Sequence, residues 1–185
     1  MNHPDQPERI EYRMERSYEV TASPEQVWEV IATAKGISSW MAPTQLDPRV
    51  GGQVSFDLGD FISSGVVSDY VPNRRFAYEE PWPIADRPED VSPDMAQWFG
   101  SIGVSLSEVY ETLPLVTPIA TEFLIEAASG GTCVLRVVTS AYGSGAEWEN
   151  EFFDQMIASL GHVLNNLATR FPATVPLASR TGKAS

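Results

Sequence analysis

The strongest structural signal in the sequence is a helical pattern of apolar residues near the C-terminal end. The pattern follows the glycine-containing segment 143–145 and continues for about 25 residues to Phe171, so at ~1.5 Å per residue the helix is roughly 35–40 Å long. Its apolar side chains share one broad face, and they are Phe152, Phe153, Met156, Ile157, Leu160, Val163, Leu164, Leu167 and Phe171. A helix of this length needs an apolar surface of matching size to pack against.

Strand patterns earlier in the chain predict that surface. Residues 11–21 alternate between apolar and polar side chains, which is the period of a half-buried strand. Similar patterns recur in later segments, which are 54–58, 65–71, 76–78, 121–127 and 132–140. Ser23 and Gln26 form a capping box that starts a short helix, and a second short helix is predicted over residues 37–41. This order predicts an α+β fold in which one curved antiparallel sheet buries its apolar face against the long helix.

The length of 185 residues predicts one domain. We predict a flexible leader over residues 1–10, a single domain over 11–171 and a flexible tail over 172–185, because the two ends are polar or rich in small residues. Residues 81–119 are an unusual insertion with six prolines and with six acidic side chains against one basic side chain. So long a segment without regular structure is uncommon inside a compact domain and is typical of a lid, a partner surface or disorder.

The aromatic content of the insertion argues against plain disorder. Ser92 is a suitable N-cap for a short helix that carries Met95, Trp98 and Phe99. We expect Trp98 and Phe99 either to close a pocket or to form a contact in a homodimer.

Composition excludes several classes of function. Twelve Lys and Arg against 25 Asp and Glu give a net charge of −13, which repels nucleic acid and anionic lipid surfaces. One cysteine and two histidines cannot form a Cys/His metal cluster, so we predict no metal and no cofactor. We also predict no integral membrane association and a cytoplasmic location, because the chain has neither a long apolar run nor a signal peptide pattern. The single cysteine, Cys133, is predicted to be a small buried apolar residue without a catalytic role.

A curved sheet that grips a long helix leaves a gap near the first turns of the helix, and a ligand fits there. The residues predicted to line it are Trp28, Trp40, Phe56, Phe123, Ile125, Arg136, Val138, Glu149, Phe152, Met156 and Leu160. Glu149 either faces Arg136, binds a proton of the ligand or only interacts with the helix dipole.

The position of Arg136 depends on the length of the hairpin loop around Gly130 and Gly131. A two-residue loop places Arg136 opposite Ile125 and inside the cavity, where its guanidinium group suits the carboxylate or enolate of a ligand. A loop with an odd number of residues places Arg136 on the opposite face, beside Glu122 and Glu126, as an exposed ion pair.

Several local motifs resemble the START-like or SRPBCC superfamily, and within it the family of the C-terminal domain of the heat-shock ATPase activator (AHSA-like). The matching segments are residues 22–28 (ASPEQVW), 40–43 (WMAP), 47–52 (DPRVGG), 65–67 (GVV), 71–72 (VP), 130–132 (GGT) and 145–148 (GAEW). The resemblance covers residues 11–80 and 120–171, and the insertion departs from the short connection of the family.

The resemblance implies a helix-grip fold with an internal apolar cavity. It therefore implies a protein that binds a small hydrophobic or amphipathic ligand, such as a lipid. Two alternatives stay open, because one fold supports several functions. One is an enzyme similar to polyketide cyclases and aromatases, and the other is a protein-interaction module similar to the co-chaperone domain.

Overall fold

The long helix is present and carries the buried face that the sequence predicts. The structure is a computed structural model that describes residues 9–172 and 174–184. The helix, α5, spans Glu147–Ala168, and its buried residues are Trp148, Glu149, Phe153, Ile157, Leu164 and Leu167. The apolar residues recur every three or four positions, so they form one continuous face that packs on the sheet.

The sheet is antiparallel and has eight strands in the described part of the chain. In chain order they are β1 (Ile10–Val20), β2 (Thr44–Leu46), β3 (Gln53–Asp57), β4 (Ile62–Val71), β5 (Arg75–Glu80), β6 (Ile119–Ala127), β7 (Cys133–Gly143) and β8 (Thr174–Ala184). Their order across the sheet is β2-β3-β4-β5-β6-β7-β1-β8. The inner face of this curved sheet packs against α5, which confirms the predicted α+β helix-grip architecture.

Two short helices follow β1 and cover one end of the inner face. Helix α1 spans Pro24–Ile31 and begins at the predicted capping box, in which the Ser23 hydroxyl accepts from the backbone N–H of Gln26. Helix α2 spans Ala34–Ser38 and ends before Trp40, whose indole N–H donates to the carbonyl of Val30 at 3.0 Å. Both helices contribute apolar side chains to the main core.

The insertion at 81–119 is folded. It contains helices α3 (Pro93–Ser101) and α4 (Leu106–Thr112) and two short 3-10 turns at Pro88–Asp90 and Leu113–Leu115. Ser92 caps α3, as predicted. The insertion forms a second apolar core with the first turns of α5, and the buried members are Trp82, Phe99, Val109, Ile119, Ala141 and Trp148. The insertion therefore covers the end of the molecule at which α5 begins.

The C-terminal segment differs from the prediction of a flexible tail over 172–185. Residues 174–184 form β8, which pairs antiparallel with β1 from Glu11–Ala184 to Val20–Thr174. Since β1 would otherwise be an edge strand, β8 satisfies its free backbone groups. The predicted leader lies mostly outside the described residues, and its last residue, Ile10, begins β1.

The β6–β7 hairpin has an odd loop. Ala127 pairs with Cys133, and the N–H of Ala128 donates to the carbonyl of Thr132 at 3.0 Å, which leaves the three residues 129–131 in the loop. Gly130 and Gly131 both have positive φ, 76° and 78°, a conformation that glycine adopts at low cost. This register places Leu124, not Ile125, opposite Arg136.

Candidate functional site

A pocket of about 230 Å³ lies between the inner face of the sheet and the middle of α5. Strands β3 to β7, helix α5 and both ends of the insertion contribute to its wall. The lining residues are Met41, Phe56, Leu58, Phe61, Ser63, Tyr78, Glu80, Pro81, Pro83, Ile119, Thr121, Thr139, Phe152, Met156, Ser159, Leu160 and Val163. Most of these side chains are apolar, so the pocket suits an apolar molecule.

Apart from Ser159 on α5, the polar side chains of the pocket come from the sheet, which forms its floor. Tyr78 on β5 pairs with Thr121 on β6, which pairs with Thr139 on β7, so the three residues form a row across adjacent strands. The hydroxyls of Thr121 and Thr139 lie 3.3 Å apart. Burial, with a smaller contribution from nearby Glu80, raises the pKa of Tyr78, so its phenol stays protonated at physiological pH.

Glu80 is the one carboxyl among the lining residues. It is the last residue of β5, two positions after Tyr78, and therefore points to the same face. The Ser63 hydroxyl on β4 donates a hydrogen bond to Glu80 Oε1. Burial raises the pKa of Glu80, and the bond from Ser63 opposes this only in part. Glu80 is therefore partly shielded from water, and its lining neighbours within residues 9–172 and 174–184 include no Lys or Arg.

Gly65 provides the space in which the Glu80 side chain lies. A Cβ atom at position 65 would be 2.9 Å from Cγ of Glu80 and 2.4 Å from the carbonyl oxygen of Glu79. Since Ser63 and Gly65 are two residues apart on β4, they lie on the same face of that strand. Gly65 therefore lies against the stem of Glu80, while Ser63 contacts its carboxyl group. Together the two residues fix the direction of the Glu80 side chain.

The mouth of the pocket carries exposed apolar side chains. Leu58 and Phe61, at the tip of the β3–β4 hairpin, line the pocket but are 45% and 53% exposed. Pro81 and Pro83, at the start of the insertion, lie on the rim as well. The opening is therefore bordered by a hairpin and by the insertion, and an apolar molecule meets apolar side chains before it reaches the interior.

The predicted site residues divide into three groups, of which one lies outside both the pocket and the main core and consists of Arg136, Val138 and Glu149. Four of the predicted residues line the pocket, and these are Phe56, Phe152, Met156 and Leu160. Four others are buried in the main core but do not line the pocket, and these are Trp28, Trp40, Phe123 and Ile125. Their aromatic rings pack against other core side chains; for example, Trp40 and Phe123 have ring centroids 6.2 Å apart.

Of the two positions that the sequence left open for Arg136, the structure has the one outside the cavity, so its assignment to the pocket lining is wrong. Its guanidinium group lies on the outer face, 3.1 Å from a Glu126 carboxylate oxygen and 3.9 Å from one of Glu15. Val138, two residues along β7, lies on this outer face as well and is opposite Glu122. The odd hairpin loop is the physical reason, because a shift of one residue moves every side chain of a strand to the other face.

Glu149 is buried in a closed site at the start of α5, outside the pocket. Tyr12 donates to its Oε2 at 3.0 Å, the N–H of Gly145 donates to the same oxygen at 2.9 Å, and the Ser144 hydroxyl donates to Oε1 at 2.6 Å. Burial, followed by the charge of Glu149, raises the pKa of Tyr12. These bonds connect α5 to β1 and to the segment that follows β7, and Glu149 contacts neither Arg136 nor the pocket.

Thirteen of the seventeen lining residues were not predicted from the sequence, and among them Glu80 and Ser63 form a side-chain hydrogen bond of the pocket. The signal for Glu80 was present, since Phe76, Tyr78 and Glu80 share one face of a strand by simple alternation. The neighbours of Glu80 in the pocket come from β4 and β6, and the alternation within β5 does not predict them. Cys133 is buried and its thiol donates to the carbonyl of Ala22 at 3.0 Å, as expected of a small core residue.

Over residues 9–172 and 174–184, no three His, Cys, Asp or Glu side chains are grouped so that they could hold a metal ion. None of the helices within these ranges is long and apolar enough to cross a membrane.

Comparison with known proteins supports this architecture. The family model described as "Activator of Hsp90 ATPase homolog 1-like protein" matches residues 21–171. Protein MLL2253 from Mesorhizobium loti aligns with a TM-score of 0.58 and 14% identity, over 85% of this chain and 93% of that one. CalU16 from Micromonospora echinospora gives 0.53 and 14%, over 88% and 83%. The Aha1 dimer from Colwellia psychrerythraea gives 0.50 and 15%, over 80% and 90%. No curated protein sequence matches the chain.

Proposed function

The chain belongs to the family of Activator of Hsp90 ATPase homolog 1-like proteins, within the START-like or SRPBCC superfamily, and we propose that it binds a small hydrophobic or amphipathic molecule in the pocket between its sheet and α5. The observation that carries this proposal is the pocket itself, a space of about 230 Å³ with mostly apolar walls. Burial of apolar surface would supply most of the affinity, at about 25 cal/mol per Å² removed from water.

The volume limits the size of the ligand. Pockets for drug-sized molecules usually measure ~300–1,000 Å³, so a pocket of about 230 Å³ suits a smaller body, such as one aromatic ring with a short chain. The row of hydroxyls on the floor supplies hydrogen bonds at one end of the pocket. We therefore expect a compact molecule with an apolar body and one polar end.

The insertion has a place in this proposal as a cover of the pocket. Trp98 packs against Phe152 with ring centroids 6.4 Å apart, and Phe152 lines the pocket. Phe99 is buried in the second core. Phe99 is therefore used within the chain, whereas Trp98 is half-buried and keeps an exposed part that a homodimer through residues 81–119 could contact. Sedimentation velocity of the full chain tests whether such a homodimer forms. The cytoplasmic location of the protein stays a prediction.

A second candidate function is acid–base chemistry of the cyclase type. The observation that favours it is the Glu80 carboxyl, whose pKa is raised by burial in an apolar wall, as is common for general acids. This candidate function predicts that the wild-type protein converts a polyketide-like substrate and that Glu80→Gln does not. Binding without turnover favours the first proposal.

A variant that fills the pocket tests the proposed binding function. Leu160→Trp adds bulk to a half-buried residue of the pocket wall, whereas Gln155→Trp adds the same bulk to an exposed position of the same helix. N-phenyl-1-naphthylamine is a fluorescent probe larger than one aromatic ring with a short chain, but the pocket is open at Leu58 and Phe61, so one of its two ring systems can enter while the other stays at the mouth. We expect it to bind to the wild-type protein and to Gln155→Trp, and we expect a loss of at least tenfold in Leu160→Trp. Equal binding by all three would show that the dye does not use this pocket.

Native mass spectrometry of freshly purified protein provides a second test. A co-purified mass in the wild-type protein that is absent from Leu160→Trp would identify the natural ligand by its molecular weight. The same mass in both proteins would place that molecule elsewhere on the surface.

A further inference from the structure

The charge of the pocket has one sign. Glu80 carries the one carboxyl group among the lining residues. Within the described ranges that lining contains no Lys, Arg or His. Arg136, the cation that the sequence placed inside, lies on the outer face in an ion pair with Glu126. A ligand carboxylate would therefore meet an acidic group in an apolar wall and no cation to balance it.

The Glu80 carboxyl has unused capacity to accept hydrogen bonds. In the described part of the chain its hydrogen-bonded side-chain partner is the Ser63 hydroxyl, which uses Oε1. A carboxylate can accept about four hydrogen bonds on its two oxygens. Glu149 shows how this chain satisfies a carboxylate that has no ligand, since three donors from three residues contact it. Glu80 lacks such a set.

The remaining walls also favour a cation. The rings of Phe56 and Tyr78, with centroids 5.2 Å apart, both line the pocket, and Phe152 lines it from α5. The faces of aromatic rings carry negative potential and attract cations within ~6 Å of the ring centre. The net charge of −13 adds a field of the same sign around the whole molecule.

The position of Glu80 is fixed before any ligand binds. Its stem lies over Gly65, where a Cβ would come within 2.9 Å of Cγ, and Ser63 holds the carboxyl. A side chain ordered in this way loses little conformational entropy on binding, and a charged partner gains more from it than from a mobile carboxylate.

We propose that the ligand is an amphipathic amine, in which a protonated nitrogen pairs with Glu80 and a compact apolar body fills the space under α5. This inference rests on the proposed binding function and adds the chemical class of the ligand to it. Burial raises the pKa of this carboxyl, and a bound ammonium group would lower it again because the positive charge favours the ionised form. The nitrogen would donate to the oxygen that Ser63 leaves free.

Three probes with the same apolar body and different polar ends test this inference. They are 4-phenylbutylamine, 4-phenylbutan-1-ol and 4-phenylbutanoate, titrated at pH 7 into the full chain by isothermal calorimetry. We expect the amine to bind at least tenfold more tightly than the alcohol, and the carboxylate to bind most weakly. Equal affinity for the amine and the alcohol would overturn the assignment of an amine ligand.

Two neighbouring substitutions locate the effect. Glu80→Gln removes the charge inside the pocket, and Glu79→Gln removes the same charge from an exposed side chain on the other face of β5. We expect Glu80→Gln to abolish the preference for the amine over the alcohol, while Glu79→Gln keeps that preference. An amine preference that survives Glu80→Gln would overturn the proposal.

The dye N-phenyl-1-naphthylamine separates the two levels of the proposal. If the dye binds in the pocket and the amine has no advantage, the inference about Glu80 fails and the general binding function stands. If neither the dye nor any of the three probes binds the wild-type protein, both fail. Dye binding by Glu80→Gln shows that the variant is folded, and the comparison of the three probes on the wild-type protein does not depend on that variant.

Discussion

In the described part of the chain, Glu149 is fully buried and Glu80 is partly buried in the pocket wall, and the surroundings of these two carboxyl groups differ. Glu149, at the start of α5, is fully buried and accepts hydrogen bonds from Tyr12, Ser144 and the backbone of Gly145. Glu80, in the pocket, has the Ser63 hydroxyl as its donor and a space of about 230 Å³ beside it.

The difference shows how a buried acid can serve either the fold or a ligand. A carboxylate with a complete set of donors has exchanged its water for protein groups and stabilises the contacts between the elements that supply them. A carboxyl with an incomplete set beside an open space keeps part of its desolvation cost until a ligand supplies the missing donor. Glu149 and Glu80 should therefore respond differently to substitution and to pH.

The largest expected effect is the loss of protein stability when Glu149 is replaced. Glu149→Ala removes the acceptor of three hydrogen bonds and leaves the buried Tyr12 hydroxyl with fewer partners, so we expect a loss of about 3 kcal/mol in the free energy of unfolding. Urea denaturation followed by circular dichroism measures it. Glu147→Ala, at an exposed position of the same first turn, should cost less than about 1 kcal/mol. Equal losses in the two variants would show that the donors around Glu149 do not stabilise the fold.

The next effect concerns the space that Gly143 leaves for Glu149. A Cβ atom at position 143 would lie 2.2 Å from Oε2 of Glu149, so Gly143→Ala should displace the carboxylate and cost about 2 kcal/mol. If the clash with Glu149 is the cause, most of this cost should disappear in a Glu149→Ala background. The four proteins form a double-mutant cycle, measured by urea denaturation. Additive losses would mean that Gly143→Ala acts through the backbone or through Tyr12 instead.

The sequence predicted the elements of both regions better than their chemistry. The helix that carries Glu149 and the alternation that orients Glu80 follow from periods of 3.6 and 2 residues, which are local properties of the chain. The partners of both acids come from other elements, with Tyr12 137 residues away from Glu149 and Ser63 17 residues away from Glu80. Such partners depend on strand register and on packing, which no local pattern specifies.

The errors have the same origin. Arg136 moved to the outer face because the loop at Gly130 and Gly131 has three residues, and a difference of one residue in a loop reverses the faces of a strand. Strand β8 was missed because residues 174–184 contain small and polar residues without clear alternation. Its structure comes from pairing with β1, a partner more than 150 residues earlier in the chain.

A smaller effect is expected for Glu80→Gln, whose change in protein stability should depend on pH. Burial raises the pKa of Glu80 above its ordinary value of 4.5, so the folded protein holds this proton more strongly than the unfolded chain does. The stability that this proton contributes is complete below about pH 4.5 and is lost as the pH rises through the folded pKa. Glutamine does not ionise. We therefore expect Glu80→Gln to match the wild-type protein near pH 4 and to be more stable at pH 7, by the order of 1 kcal/mol or less.

Urea denaturation between pH 4 and pH 8 measures this difference, without ligand. Tyr78 is the other titratable side chain that lines the pocket, and its raised pKa keeps it neutral over this range. Glu79→Gln is the matched control, because Glu79 is exposed, and its difference from the wild-type protein should stay nearly constant. A constant difference for Glu80→Gln as well would contradict the assignment of Glu80 as a desolvated acid.

The smallest effect is expected on the outer face, at the cation that the sequence placed beside the ligand. The Arg136 side chain is 39% exposed and its partner Glu126 is 63% exposed, so their ion pair is screened by water and salt. Arg136→Ala should change the free energy of unfolding by about 0.5 kcal/mol or less and should leave the affinity for all three phenylbutyl probes unchanged. Urea denaturation and calorimetry measure the two quantities. A weaker affinity for 4-phenylbutanoate in Arg136→Ala would mean that a cation on the outer face reaches the ligand, and the acidic character of the pocket would no longer determine which ligand it selects.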